Sequence, residues 1–319
     1  MSATTMTTTF FQRMRQHADW ANQRALTMLQ QLPEAAPRLG RLAGHLLTTE
    51  QIYLERMRGR NPWPQDFWPE LEAAALPPLA RANQTGYAEF LAEQAAADFD
   101  HVVSYRNSRG AVQHTSTADL FLHVAMHGSY HRGQLALAVR QTGSEPVNTD
   151  FITFAREGHE PAAGSPPGKK YLTRLFHYVR WANNNVLQLL QMAPAAPTVL
   201  RFLAHLLAAE QVWLTRLRGE DSAGLAIWPD LALPACMRLL EANAAGYQSY
   251  LEESAEESLA AIITYRNSKG MEFHSVAADI LAQVVLHGAY HRGQIAWELR
   301  RAGDEPVNTD YVVFVREAG

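Results

Sequence analysis

Two histidines separated by three residues occur in the segment HGSYHRGQ at residues 127–134 and again in HGAYHRGQ at residues 287–294. In a helix, this spacing places both imidazoles on one face about one turn apart, close enough to hold one metal ion. A third histidine lies upstream in each copy, within LAGHLLTTEQ and FLAHLLAAEQ. The candidate metal ligands are His45, His127 and His131 in the first copy and His205, His287 and His291 in the second.

Three imidazoles held by a rigid frame are a typical ligand set for zinc, and they leave at least one coordination position for water or substrate. Such an open position is typical of catalytic rather than structural zinc. The alternative is that these are ordinary core or surface histidines, which is the usual explanation for a single histidine. A repeated set of three favours the metal.

Two other kinds of metal site do not fit the motif. Gly128 and Gly288 follow the first histidine of each pair, where a zinc protease helix of the H-E-x-x-H kind carries its general-base glutamate. The chain also lacks any Glu-x-x-His, which a di-iron carboxylate bundle requires. The histidine set therefore indicates neither class.

The repeat extends over both halves of the chain, at an offset of 160 residues. YRNSRG at 105–110 matches YRNSKG at 265–270, and a Gly- and Pro-rich stretch separates the copies. This period is that of a whole domain rather than of a solenoid turn. We predict domains at 1–157 and 169–319, joined by a linker at 158–168.

Apolar residues recur within each copy at spacings of three and four, which predicts helices. A glycine-bearing turn in HVVSYRNSRGAVQHT predicts a short two-stranded hairpin before the last helix. In the first copy the pattern predicts helices at 10–32, 39–58 and 77–99, and a fourth helix capped by Thr115 or Ser116 and closed by Gly143. We therefore predict an all-α fold of two tandem four-helix bundles.

The composition is that of a soluble globular chain, with 47% hydrophobic and 19% charged residues. A net charge of −4 and a pI near 6.4 give no basic surface for nucleic acid or an anionic membrane. No run of about 18 apolar residues predicts a membrane span, and the N-terminus does not resemble a signal peptide. Because the single cysteine, Cys236, excludes an intrachain disulfide, we predict a cytoplasmic protein without nucleic-acid or membrane partners.

Some other residues near the histidines have two interpretations. His123 lies one turn before the pair, but its counterpart is Gln283, so a structural or outer-shell role is predicted. Tyr130 and Tyr290 could donate a proton near the site or pack in the bundle, and packing is favoured. Asn22 and Asn183 could face the site or satisfy backbone near a helix end, and the sequence leaves both open. Local hydrogen bonding is predicted for His114 and His274, and no role is predicted for His17, His101, His159 and His177.

With these motifs in place, each half resembles the DinB family of four-helix metalloproteins. The resemblance implies an up-down-down-up bundle that binds one divalent metal through three histidines, at the six positions named above. Zinc or nickel is the metal expected from the family, with iron or manganese also reported. Because single-domain members form homodimers, a fused pair implies an intramolecular pseudo-dimer, as a monomer or as a homodimer of the whole chain.

Characterised members of the family include thiol-dependent transferases and isomerases. The resemblance therefore implies a metal-dependent transferase, of the thiol S-transferase kind, or a hydrolase acting on a small molecule. A low-molecular-weight thiol is the expected cosubstrate. The competing hypothesis is a non-catalytic metal-binding or interaction protein whose metal sites are structural or sensing. The sequence assigns no catalytic residue.

Overall fold

The structure is a computed structural model of the 319-residue chain. It describes residues 3–32, 36–61, 66–94, 96–159, 168–192, 197–267 and 269–318. Helices dominate this part of the chain, and its strands form two short antiparallel hairpins. The predicted all-α fold with two repeated halves is confirmed. Within the described residues, no helix is both long enough and apolar enough to span a bilayer.

In its described residues, the first sequence copy contains five α-helices and one hairpin. The helices are α1 (Ala3–Gln30), α2 (Ala36–Met57), α3 (Leu76–Glu93), α4 (Thr117–Arg140) and α5 (Phe151–Arg156), and the hairpin of β1 (Val102–Arg106) and β2 (Val112–Ser116) precedes α4.

The second copy repeats this order. Its helices are α6 (Lys169–Met192), α7 (Pro197–Leu217), α8 (Leu233–Glu253), α9 (Ala277–Ala302) and α10 (Tyr311–Ala318), and β3 (Ile262–Arg266) pairs with β4 (Glu272–Val276) before α9.

The helix boundaries differ from the predicted ones mainly at two ends. Helix α1 begins at Ala3, earlier than its apolar periodicity indicates. Helix α3 ends at Glu93, and a 3-10 turn at Ala96–Asp100 completes the stretch predicted as helix. The cap of α4 is Ser116, whose hydroxyl accepts a hydrogen bond from the Asp119 backbone N–H at 3.1 Å. This serine satisfies one of the amides that a helix start leaves unpaired.

The chain forms two compact units that exchange their short terminal helices relative to the sequence repeat. Unit 1 comprises residues 1–149 and 310–319, and unit 2 comprises residues 150–309. Helix α10 therefore packs on α4 within unit 1, and α5 packs on α9 within unit 2. The predicted domains followed the repeat and so assigned both short helices to the other unit. Most of the predicted linker, residues 160–167, lies outside the described residues.

Helices α4 and α9 are the central elements of their bundles. Nearly every residue of each helix is buried, including polar ones, because other elements of the unit cover every face. A buried polar side chain is costly unless it is hydrogen-bonded or binds a ligand. The polar residues of these two helices therefore need partners inside the bundle, and the histidines are among them.

Candidate metal centres

Each unit brings its three predicted histidines together. In unit 1, His45 projects from α2, and His127 and His131 project from α4. One ring nitrogen from each residue can be chosen so that all three lie within 4.8 Å of one another. The two histidines of α4 share a face because they are four residues apart, and packing of α2 on α4 supplies the third.

Unit 2 repeats the cluster with His205 from α7 and His287 and His291 from α9, within the same 4.8 Å limit. The nearest nitrogens are as close as ligands of one ion. His45 Nε2 lies 3.2 Å from His127 Nε2, and His287 Nε2 lies 3.0 Å from His291 Nε2. Two nitrogens bound tetrahedrally to one zinc ion are about 3.3 Å apart, so either cluster could hold a metal ion.

A backbone carbonyl orients the first ligand of each cluster. His45 Nδ1 lies 2.5 Å from the Phe67 carbonyl oxygen, and His205 Nδ1 lies 2.7 Å from that of Ile227. A carbonyl only accepts, so Nδ1 carries the proton and donates it. The lone pair is then on Nε2, which points into the cluster, as in histidines whose other nitrogen is fixed by an outer hydrogen bond.

A tryptophan from the same loop covers each of these imidazoles. The ring centroids of Trp68 and His45 are 3.7 Å apart and nearly parallel, and those of Trp228 and His205 are 3.6 Å apart. Both indoles remain partly exposed, at 41% and 47%. Each tryptophan therefore separates the candidate metal centre from solvent on one side and fixes the plane of a ligand ring.

Burial favours the neutral form of four clustered imidazoles, those of His45, His127, His205 and His287. It lowers the pKa of His45 and of His205 to about 4, opposed in both by the hydrogen bond to the loop carbonyl. Burial also lowers the pKa of His287 to about 4 and holds that of His127 well below its ordinary value, with a further contribution from the neighbouring His131. Since a metal binds the neutral imidazole, these four ligands need no proton release at neutral pH.

A buried polar chain lies behind the α4 ligands in unit 1. Arg132 follows His131, and its Nη1 donates to Asn22 Oδ1 at 2.9 Å. Asn22 Nδ2 in turn donates to Glu50 Oε1 at 2.8 Å. This chain ties α4 to α1 and α2 and so holds the ligand helix in position.

Unit 2 contains the same chain. Arg292 Nη1 donates to Asn183 Oδ1 at 2.8 Å, and Asn183 Nδ2 donates to Glu210 Oε1 at 2.8 Å. The asparagines thus neither face the candidate metal nor serve a helix end, the two roles that the sequence left open. They bridge a carboxylate and a guanidinium.

His123 and Gln283 occupy matching positions but make different contacts. His123 is buried, with its ring centroid 5.4 Å from that of His127 and 4.6 Å from that of Tyr53. Gln283 Oε1 accepts a hydrogen bond from the backbone N–H of Ile152 at 2.9 Å. An additional imidazole therefore borders the first cluster, whereas an amide in unit 2 anchors α5.

The remaining predicted residues lie outside the clusters. Tyr130 and Tyr290 are half-buried, with ring centroids 5.2 and 5.3 Å from the adjoining ligands His131 and His291. Ser104 Oγ and His114 Nδ1 form a 2.8 Å hydrogen bond across the hairpin, and Thr264 with His274 repeats it at 2.9 Å. Buried His17 forms a hydrogen bond with the Thr149 carbonyl, and His159 stacks on Phe154. His101 and His177 are exposed.

Sequence reasoning overlooked the carboxylates and the indoles. Glu50 and Glu210, and likewise Trp68 and Trp228, are each separated by 160 residues, so both pairs belong to the repeat. The repeated dipeptides Glu-Gln and Trp-Pro were the available signal. Their roles depend on contacts with other helices, which neither spacing nor composition reveals.

The fold and the clusters define a class: an all-α protein with a possible three-histidine metal centre in each of two bundles. The family model described as "DinB family" matches residues 1–162 and 169–318, so the chain belongs to the DinB family, a metal-binding family. The chain is similar to "Protein DinB" of Bacillus subtilis (strain 168), 24% identical over 160 residues that cover 44% of this chain and 92% of that protein. No solved structure matches the chain. The predicted family is confirmed.

Proposed function

We propose that each unit binds one divalent metal ion through its three histidines. The observation that carries the proposal is the convergence of ring nitrogens in both clusters, with neighbouring Nε2 atoms 3.2 and 3.0 Å apart. The ligands would be His45, His127 and His131 in unit 1 and His205, His287 and His291 in unit 2.

The donor set fits a borderline transition metal. Imidazole suits zinc, nickel and iron, whereas manganese prefers oxygen donors. Neutral rings and a fixed tautomer for His45 and His205 prepare these sites for zinc or nickel, which we propose as the metal, ahead of iron or manganese.

We further propose a metal-dependent transferase of the thiol S-transferase kind, or a hydrolase, acting on a small molecule. A bound metal would lower the pKa of a thiol or water at the coordination position that three protein ligands leave open. The chain's own residues hold the ion and its outer shell: Arg132 and Asn22 fix the ligand helix, and Trp68 limits solvent on one side.

The chain's single cysteine does not supply the thiol. Cys236 is buried in α8, and burial raises the pKa of its thiol, which disfavours the reactive thiolate. A thiol-transfer reaction therefore requires a low-molecular-weight thiol as cosubstrate. The acidic net charge and reduced cysteine support a cytoplasmic protein with small-molecule rather than nucleic-acid partners, active as a monomer or homodimer.

The metal content of the purified full chain tests the first part. By inductively coupled plasma mass spectrometry, we expect two metal ions per wild-type chain. His127→Ala or His287→Ala should leave one metal ion per chain, and the double variant almost none. His114→Ala with His274→Ala is the matched control, because it removes two exposed histidines outside the clusters. A metal content that the double ligand variant leaves unchanged would contradict the proposal.

Turnover tests the second part. We expect the metal-loaded chain to conjugate a small electrophile such as monobromobimane to bacillithiol, mycothiol or cysteine, or to hydrolyse a small ester. The double ligand variant should lose this rate and the hairpin variant should keep it. Two stoichiometric metal ions without turnover on such a panel would instead support the non-catalytic alternative.

A further inference from the structure

Each unit contains a buried glutamate on its second helix. The carboxylate faces the first and third helices of the same unit. The two glutamates are Glu50 on α2 and Glu210 on α7, which are 1% and 5% exposed. Each accepts hydrogen bonds from two asparagine amides, one on each neighbouring helix. A buried carboxylate is costly unless a cation also compensates its charge.

In unit 1 the chain supplies that cation. Arg15 Nη1 on α1 lies 3.1 Å from Glu50 Oε2, and the guanidinium carbon lies 4.4 Å from the ring centroid of Tyr87. Asn22 and Asn83 complete the shell of Glu50, at 2.8 and 3.3 Å. Arg15 also pairs with Asp19, one turn further along α1. Glu50, Asp19, the two amides and the aromatic face together form a guanidinium-binding site that is occupied from within.

In unit 2 the carboxylate and amides are retained without the tethered cation. Trp20-Ala21-Asn22 of α1 matches Trp181-Ala182-Asn183 of α6 at an offset of 161, and in this register Phe176 replaces Arg15. Asn183 and Asn243 donate to Glu210 at 2.8 and 3.2 Å. Within the described residues, Glu210 forms no ion pair.

A cavity of about 110 Å³ lies between α6 and α8 at this carboxylate. Its lining includes Glu210, Asn183, Phe176 and Tyr247. The rings of Phe176 and Tyr247 stack, with their centroids 4.3 Å apart. A cavity of about 150 Å³ holds benzene in another protein, so 110 Å³ suits an ion of a few heavy atoms. The rim residue Arg180 does not neutralise Glu210, because it pairs with Glu241 at 2.9 Å.

We propose that this cavity binds a small organic cation, a guanidinium or alkylammonium group, which pairs with Glu210 and contacts the aromatic pair Phe176 and Tyr247. A carboxylate beside aromatic rings is the chemistry that recognises such ions, through charge-assisted hydrogen bonds and cation–π attraction. The bound cation does in unit 2 what the side chain of Arg15 does in unit 1. The site uses none of the six candidate metal ligands.

The electrostatics of Glu210 agree with this geometry. Burial raises its pKa to about 7, although hydrogen bonds from Asn183 and Asn243 and the charge of Arg292 act in the opposite direction. A carboxylate that the folded protein stabilises poorly gains from a cation placed against it.

Calorimetric titration of the full chain with methylguanidinium tests the proposal, with N-methylurea as a neutral ligand of similar shape. We expect saturable binding of one methylguanidinium per chain, and at least about tenfold weaker binding of N-methylurea. Glu210→Gln should weaken methylguanidinium binding at least about tenfold. Glu257→Gln is the matched control, since that glutamate is exposed and outside the cavity.

Phe176→Arg provides a second test because it copies Arg15 into unit 2. We expect it to abolish methylguanidinium binding, since the tethered guanidinium pairs with Glu210. Circular dichroism establishes that Glu210→Gln keeps its helices. Absence of saturable binding to the wild-type chain, or equal binding to the correctly folded Glu210→Gln chain, would overturn the proposal.

Discussion

Units 1 and 2 each have a candidate metal centre of the same kind. They differ in the residues that surround their buried carboxylates. Both have three clustered histidines, a tryptophan over the first ligand, and an arginine–asparagine–glutamate chain behind the others. Unit 1 adds Arg15 against Glu50, whereas unit 2 has Phe176 and a cavity against Glu210. The candidate metal centre is thus duplicated, and the difference between the units lies in how each compensates a buried charge.

The exchange of short helices gives the comparison its largest test. Tyr311 of α10 is fully buried, and its hydroxyl donates to Asp119 Oδ1 of unit 1 at 2.8 Å. We expect Tyr311→Ala to destabilise unit 1 by about 3 kcal/mol, through a lost aromatic side chain and a lost hydrogen bond. Hydrogen exchange followed by mass spectrometry should show faster exchange in α4, although the mutation lies in the second sequence copy.

Phe151→Ala is the reciprocal variant, since Phe151 of α5 is buried within unit 2. We expect its faster exchange to appear in α9. If each substitution instead loosened the bundle of its own sequence copy, the helix exchange would be wrong.

Removing the tethered cation distinguishes the two carboxylates. Arg15→Leu leaves buried Glu50 and its neighbour Asp19 without the cation that they share, and breaking a buried pair by removing one partner costs about 3 kcal/mol. Phe176→Leu at the matching position removes only aromatic packing and should cost about 1 kcal/mol. Denaturation of both variants in urea at pH 7, without metal, measures the difference. Equal losses of stability would show that Arg15 acts through packing alone.

The indoles test whether the outer shell tunes each candidate centre separately. Trp68→Ala removes the ring stacked on His45, and outer-shell changes of this kind cost about 10- to 100-fold in metal affinity. We expect the metal affinity of unit 1 to fall by about 10-fold. The affinity of unit 2, where Trp228 is intact, should not change. Competitive titration with a zinc chelator resolves the two sites. Two unchanged affinities would show that the stack does not orient the ligand.

His17 provides the smallest test, through pH. Burial, helped by Arg132, lowers its pKa from 6.5 to about 3, although a hydrogen bond to Thr149 opposes the shift. Below pH 6.5, His17 is protonated in the unfolded chain but stays neutral in the folded chain. The free energy of unfolding therefore falls by about 1.4 kcal/mol per pH unit until about pH 3.

Unit 2 has Tyr178 at this position, and its hydroxyl donates to the Thr309 carbonyl at 2.9 Å. His17→Tyr copies that arrangement. Between pH 6.5 and 5 it should reduce the fall in the free energy of unfolding by about 1.4 kcal/mol per pH unit. Urea denaturation at several pH values measures the slope. An identical slope in the variant would assign the acid sensitivity to other groups.

Much of the architecture could be predicted because local patterns carry it. Apolar periodicity is a property of neighbouring residues, and the repeat of 160 residues can be found by comparing the chain with itself. The fourth helix could be placed between a cap at Thr115 or Ser116 and Gly143. The pairing of His127 with His131 follows from helix geometry. The contribution of His45 also followed from the repeat, although its distance to the pair did not.

The features that the sequence left undetermined depend on contacts distant in sequence. Helix α5 follows the same motif as α10, and nothing local indicates which unit either one joins. Asn22 was ambiguous because both of its partners, Glu50 and Arg132, lie on other helices. Trp68 could be recognised as repeated, but its stacking on His45 depends on how the loop returns over α2.

The sequence by itself determined two helical bundles and the two histidine pairs, since helix formation and the i, i+4 spacing are set by residues one turn apart. Only the tertiary structure decided which short helix completes each bundle, which ring nitrogens converge, and which buried carboxylate receives a guanidinium. Those outcomes depend on burial and on distances between separate helices. The free energy of placing a charge or an imidazole is fixed by everything packed around it.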